Sequence, residues 1–274
     1  MTPDNERSSQ VNRARRHFLG AAAAAGAKVA AMGVFATTIF PASKARAKGT
    51  NWGDGGDGGR GSRCFLRGTA ILTTNGEVRV EELTVGDLVE TVNGKSMKVR
   101  WIGRQVFKRA GPAWPKNVMP IRISRHALDQ QTPHTDLYVS PDHAFFIDGV
   151  LIRAKDLVNG ATIAPCLPSA CETVEYFNLL LDSHEVILAE GAPAETFRPV
   201  AGNHEAFANF AELEHLLPDV ARNTMAPFAP VVGFRGRDHL KALLLLGLRP
   251  FTPSDDPIAD AQARFAARAK ELAD

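Results

Sequence analysis

The residue with the clearest chemical potential in this chain is Cys64. It ends a glycine-rich run, Lys48 to Arg63, and opens the first strand-like pattern, Arg63-Cys64-Phe65-Leu66-Arg67-Gly68-Thr69-Ala70-Ile71-Leu72-Thr73. A thiol at the junction of a tether and a folded domain is poorly placed for packing. It is well placed to attack the carbonyl just before it, that of Arg63. With an ordinary pKa of ~8.5, a cysteine supplies some thiolate at neutral pH. Cys64 is therefore a candidate nucleophile of a self-processing domain; the alternative is a small buried core residue.

Opening an amide also needs its nitrogen protonated as the bond breaks. A histidine, with pKa near ~6.5, can hold or give that proton. His143, in Ser140-Pro141-Asp142-His143, and His184, after Asp182-Ser183, are the candidates. Taken singly, each also reads as a structural or surface residue.

The segments that must position these groups are short and strand-like. Thr69 to Thr73 closes on Asn75-Gly76, a hairpin signal, and Glu77-Val78-Arg79-Val80 returns with period two. Asn93-Gly94 predicts a second hairpin, running into Met97 to Gly103. Val118 to Ile123, Leu137 to Ser140, Ala144 to Ile147 with the turn Asp148-Gly149, and Val150 to Ile152 continue the pattern. Tyr176 to Leu181 and His184 to Ala189 close it. Frequent tight turns between short strands predict an all-β domain. Lys155 to Ile163 echoes Glu81 to Val89, with Leu, Gly and a terminal β-branched residue at the same spacing, which suggests two related β subdomains.

Composition narrows the function. The chain has 274 residues, 45% hydrophobic, enough for one good core or two small ones. With 32 basic and 30 acidic residues, the net charge of +2 leaves no excess for a nucleic-acid backbone, so no nucleic-acid partner is expected. Nothing resembles a phosphate-binding glycine loop or a paired-carboxylate hydrolase. The three cysteines, with His126, His134 or His184, show no metal-ligand spacing, so neither a metal nor a cofactor is expected. Cys166 and Cys171, close together around Pro168, read either as a small-loop disulfide or as ordinary loop residues.

At the N-terminus, Arg15-Arg16-His17-Phe18-Leu19 precedes the alanine-rich stretch Gly20 to Phe40 and then Ala45-Arg46-Ala47. Basic, apolar, then small-x-small is the order of a cleaved secretory signal, here twin-arginine-like. An amphipathic helix or an uncleaved anchor is the alternative. Residues 1–47 are thus read as a signal peptide, with export to the periplasm or beyond and no stable membrane span after cleavage. Residues 48–63 form a flexible linker; Asp54 and Asp57 among its glycines only weakly resemble a calcium-binding repeat. Residues 64–200 are the β domain and 201–274 a helical region. Within the latter, helices are predicted over Glu205 to Leu217, over His239 to Gly247, and from Ile258 to Leu272 behind Ser254-Asp255-Asp256-Pro257, with Ile258, Ala261, Phe265 and Leu272 on one stripe.

From Cys64 to about Pro199 the motifs resemble the Hint (hedgehog/intein) family, in its bacterial secreted branch. Cys64-Phe65 with Gly68-Thr69 is similar to the opening block, Glu82-Leu83 with Gly86-Asp87 to a turn, and Ser140 to His143 to the Thr-x-x-His block. Tyr176 to Ala189 is similar to a late block in which His184 matches a histidine. The resemblance implies a pseudo-two-fold, all-β horseshoe followed by a small helical C-terminal tail.

It also implies an N-to-S acyl shift at Arg63–Cys64. Cys64 would be the nucleophile, His143 the proton donor, Ser140 a group orienting the scissile peptide, and His184 an assistant or brace. The substrate would be the chain's own N-terminal segment, and water, an amine or a hydroxyl would attack the thioester. Where splicing domains end in His-Asn, this chain reads Glu195-Thr196-Phe197-Arg198-Pro199, and Asn203-His204 is reversed and later. Cleavage or transfer is expected rather than splicing, with release of Lys48 to Arg63. An aspartate to activate an incoming hydroxyl is open among Asp129, Asp136 and Asp142. An inert secreted β module is the alternative function.

Overall fold

The computed structural model of the protein describes residues 63–168, 172–200, 202–232 and 256–273. The expected signal peptide, most of the linker, Cys171 and the expected helix over His239 to Gly247 lie outside the described residues. The all-β expectation with a helical tail holds: strands alternate with tight turns and one 3-10 turn (Ala154–Leu157), and the α-helices follow residue 202.

In chain order the strands are β1 (Phe65–Leu66), β2 (Ala70–Thr73), β3 (Gly76–Arg79), β4 (Leu88–Glu90), β5 (Ser96–Lys98) and β6 (Trp101–Lys108). Next come β7 (Ile121–Ile123), β8 (Leu137–Val139), β9 (Ala144–Ile147), β10 (Val150–Arg153) and β11 (Ile163–Pro165). The last are β12 (Thr173–Leu180), β13 (Val186–Ala189), β14 (Ala192–Glu195) and β15 (Val231–Val232). Among the described residues one sheet runs β11-β7-β8-β1-β12-β6. The other runs β15-β10-β9-β14-β13-β2-β4-β5, with β3 beside β2.

The repeat read in the sequence extends through the backbone. Hairpin β2–β3 closes with Thr73 opposite Gly76, and hairpin β9–β10 with Ile147 opposite Val150, each partner 74 positions later. The residues entering the hairpins make matching bonds at the same offset. Thr69 N–H donates to Leu66 O as His143 N–H does to Ser140 O, and Val80 N–H donates to Thr69 O as Ala154 N–H does to His143 O. In the second hairpin the two loop residues have positive φ, Asp148 at 49° and Gly149 at 90°. That is the turn sense that suits the right-handed twist of paired strands.

Three local expectations shift. The first hairpin loop is Thr74-Asn75, because Gly76 is already paired. The expected single strand Met97 to Gly103 is two: β5 stays with β4 and β6 crosses to the other sheet as the long partner of β12. The expected helix from Glu205 is a 3-10 turn (Asn203–Ala206), then α1 (Phe210–Leu216), and Pro218 opens α2 (Pro218–Arg222). Proline lacks the N–H that a first helical position leaves unused, so it starts a helix as readily as it stops one.

The core is one large apolar cluster including Phe65, Phe145, Phe177, Ile71, Ile152 and Leu157. A second cluster joins Cys64 to Trp101, Tyr176, Phe197 and Phe207. Gly103 is required there: a Cβ would lie 2.5 Å from the Phe207 ring and 2.6 Å from that of Trp101. Helix α3 (Pro257–Glu271) is capped by Asp256, whose side chain accepts from the Ile258 and Ala259 N–H groups. It buries Ile258, Ala261 and Phe265 against the main core. Leu272 does not join that stripe; it is 41% exposed just past the last turn. The sequence pattern also missed β15, which pairs in parallel with β10.

Candidate active site

The nucleophile candidate sits where a central strand is flanked on both sides. Within β1, Phe65 is opposite Val139 of β8 on one edge and Phe177 of β12 on the other. Cys64 therefore lies between the residue that follows β8, Ser140, and the neighbour of Phe177, Asn178. The contacts follow that register. Cys64 N–H donates to Ser140 Oγ at 2.8 Å, and Ser140 N–H donates to Cys64 O at 2.9 Å. On the other side, Asn178 Nδ2 donates to Arg63 O. Asn178 is fully buried, and its own Oδ1 is held by the Leu179 N–H at 2.8 Å.

Both ends of the Arg63–Cys64 peptide are thereby gripped. Ser140 holds the nitrogen that would leave, and Asn178 aims a donor at the oxygen that would become an oxyanion. Cys64 is fully buried beside them.

His143 lies where the chain passes from one sheet to the other, between β8 and β9. Its ring packs 4.4 Å from that of Phe65 and 6.1 Å from that of Phe145. Neither ring nitrogen has an aligned hydrogen-bond partner. Burial is the largest influence and pulls its pKa down to about 4, although Glu195 works in the opposite direction. At neutral pH the imidazole is neutral, able to take a proton and strongly inclined to give it back.

His184 precedes β13, and Val186 of that strand is opposite Glu195 of β14. The result is a buried pair, with His184 Nε2 lying 3.3 Å from Glu195 Oε2. This is contact distance, but not an aligned hydrogen bond. His184 Nδ1 accepts the Phe228 N–H at 2.9 Å, a contact supplied from beyond the β domain. Glu195 Oε1 accepts the Ala144 N–H at 2.9 Å, and Arg63 Nη1 lies 3.4 Å from its Oε2. Burial disfavours the Glu195 charge, but Arg63 and then His184 outweigh it and hold the carboxyl down at about 2.

Of the four expected site residues, Ser140 contacts the peptide that Cys64 closes, and the two histidines lie around the neighbouring Glu195. Cys64 and Ser140 touch directly; His143 and His184 share the electrostatic surroundings of Arg63 and Glu195. Reading the sequence for function missed Asn178 and Glu195. Each had a signal: a polar residue inside the apolar run Tyr176 to Leu181, and a charge closing the small-residue strand Ala192-Pro193-Ala194.

The three open aspartates are engaged locally. Asp142 pairs with Lys155 at 2.5 Å, Asp136 accepts the Arg125 N–H, and Asp129 accepts the Gln131 N–H. Asn203 likewise closes its own loop, with the Val200 N–H donating to Oδ1 and Nδ2 donating to Arg198 O. Cys166 Sγ donates to Leu167 O. Among the described residues no three histidine, cysteine or carboxylate side chains are grouped to hold a metal. No described helix is long and apolar enough to cross a membrane.

A duplicated β domain that buries a cysteine at its first strand, with a donor on the oxygen and an acceptor on the N–H of the preceding peptide, is the arrangement of a self-acting domain. The Hint domain family matches residues 63–201, and the chain belongs to it. Hint domains in general process their own backbone. Among solved structures the fold is similar to the MchDnaB-1 intein, at 13% identity and TM-score 0.34, covering 48% of this chain and 99% of that one. It is similar to the gp41-1 intein at 14% identity and TM-score 0.36, covering 48% and 98%. It is also similar to a bacterial intein-like domain from Clostridium thermocellum at 17% identity and TM-score 0.34, covering 50% and 99%. No curated protein matches the chain.

Proposed function

We propose that this protein is exported and cleaves its own backbone between Arg63 and Cys64 through a thioester, without splicing. The observation that carries the reading is the double grip on one peptide: Asn178 on the Arg63 oxygen and Ser140 on the Cys64 nitrogen. Export rests on the twin-arginine-like leader pattern.

The steps use groups already described. The Cys64 thiol adds to the Arg63 carbonyl carbon, and neutral His143 takes the thiol proton. Negative charge develops on the Arg63 oxygen, where Asn178 Nδ2 donates to it. His143 returns its proton to the Cys64 nitrogen as the C–N bond breaks, while Ser140 keeps that nitrogen in place. The product carries an Arg63–Cys64 thioester and a free amine on Cys64. Water, an amine or a hydroxyl then attacks the thioester; with water, Arg63 leaves as a carboxylate and the Cys64 thiol is restored. His184 braces Glu195 against the leaving segment.

The test is to incubate the full chain with hydroxylamine or a small thiol and follow intact mass. Wild type releases a fragment that ends at Arg63, and Cys64→Ala releases none. An intact wild-type chain under all nucleophiles overturns the reading.

A further inference from the structure

We propose that Glu195 is a recognition group for the residue preceding the nucleophile, selecting a cationic side chain, arginine above lysine, at position 63. The inference rests on the cleavage reading and adds what chooses the bond that breaks.

The carboxylate is built in rather than incidental. Glu195 is fully buried, and one of its oxygens is fixed by the Ala144 N–H at 2.9 Å. The other oxygen is presented to His184 Nε2 at 3.3 Å and to Arg63 Nη1 at 3.4 Å. A buried carboxylate needs a cation or a full set of donors. His184 turns only its Nε2 edge to Glu195, because its Nδ1 faces the Phe228 N–H, and Nε2 is not aligned for a hydrogen bond. Of the groups that hold Glu195 ionised, Arg63 comes first, ahead of His184.

Arg63 is then held at two points, its guanidinium by Glu195 and its carbonyl oxygen by Asn178. Two anchors on one residue fix the direction of the carbonyl between them, which is what attack by the adjacent thiol requires. Lysine can meet the charge but not the planar reach of a guanidinium. An apolar residue leaves Glu195 buried without its cation, and an acidic one sets two carboxylates against each other. Both anchors act on one residue, so selection falls on position 63.

The test compares single-turnover hydroxylamine cleavage of the full chain carrying Arg63, Arg63→Lys, Arg63→Met or Arg63→Glu, each with Glu195 and with Glu195→Gln. With Glu195, rates fall in that order, and Arg63→Met is slower than wild type by on the order of 30-fold or more. With Glu195→Gln, which keeps the acceptor for Ala144, the order collapses and Arg63→Glu recovers most. Arg63 lies at the edge of the domain, so Arg63→Met, shown folded by a denaturant melt, carries the test even if Glu195→Gln fails to fold. Arg63→Met cleaving as fast as wild type overturns the proposal, as does an unchanged order in Glu195→Gln. Absence of cleavage in wild type instead overturns the cleavage reading, and this inference with it.

Discussion

In the first half of the domain, the turn Arg67-Gly68 leads from β1 into Thr69, whose hydroxyl donates to Leu66 O at 2.8 Å. In the second half, 74 positions on, the turn Pro141-Asp142 leads from β8 into His143, which stands between Ser140 and β9. The backbone bonds of the two turns correspond. Their side chains do not: one hydroxyl satisfies its own turn, whereas the other turn presents a serine to a neighbouring peptide and buries an imidazole with no aligned partner. Under the proposed cleavage the first half contributes the bond that breaks, and the second contributes groups that handle its nitrogen and proton. Duplication supplies two equivalent scaffolds, and only one of them turns a buried polar position to a neighbouring peptide instead of to its own turn.

The comparison breaks most decisively at its paired positions. His143→Ala is expected to slow cleavage by ~10²–10⁴-fold, the usual worth of a positioned proton carrier. Thr69→Ala should leave the rate near wild type and cost about 1 kcal/mol of stability for its lost turn hydrogen bond. Rates from intact mass and denaturant melts on both variants decide it; equal effects on rate would erase the distinction between the halves.

Asn178→Ala removes the donor to the Arg63 oxygen and should cost about 10²-fold in rate. Its strand partner, Gly103, tests the packing side instead. Gly103→Ala forces a methyl into the Trp101 and Phe207 rings and should destabilise by about 1–3 kcal/mol. Urea titration of that change in a Cys64→Ala background, which cannot cleave, gives the number without loss of the leader; an unchanged midpoint would show that the rings have room.

The smallest effects are in pH, and they separate a buried histidine from a surface one. The folded-state pKa of His143 is lowered from 6.5 to about 4, so the unfolded chain binds its proton first. Its contribution is full above 6.5 and is lost as pH falls towards 4. Glu195, lowered from 4.5 to about 2, extends the acid loss below 4.5. His134 is the reverse case. Its hydrogen bond to Glu77 at 3.1 Å is the main cause that raises it from 6.5 to about 9. That contribution is full below 6.5 and disappears as pH rises through 9, and solvent screening at this exposed pair keeps it modest. Thermal melts of the Cys64→Ala chain from pH 3 to 10 should slope down at both ends. His134→Gln should flatten only the alkaline slope; loss of the acid slope in that variant would contradict the assignment.

Much of this was legible in residue order. The turn pairs Asn93-Gly94 and Asp148-Gly149 marked their hairpins, and Gly94, Asp148 and Gly149 take the positive φ that few other residues tolerate. The matched Leu83 and Leu157, Gly86 and Gly160 announced the duplication. Asp256-Pro257 marked the start of α3, since a carboxylate that accepts two N–H groups followed by a proline is a local arrangement. The strand Val231–Val232 was not legible, because two residues carry no period, and its partner β10 lies some eighty positions away. The break between β5 and β6 was missed for the same reason: the run looks continuous, and only the choice of different sheets divides it.

The sequence by itself determined the candidate nucleophile and its neighbours in type: a cysteine at a domain edge, a Ser-x-x-His block, a second histidine, and the repeat that carries them. Those are properties of local spacing. Only the tertiary structure decided what each would meet. Flanking β1 by β8 and β12 puts Ser140 and Asn178 on opposite sides of one peptide, and pairing β13 with β14 brings His184 to Glu195 and Glu195 to Arg63. Register between strands that are distant in sequence is set by the packing of the whole core, so no local pattern can state it.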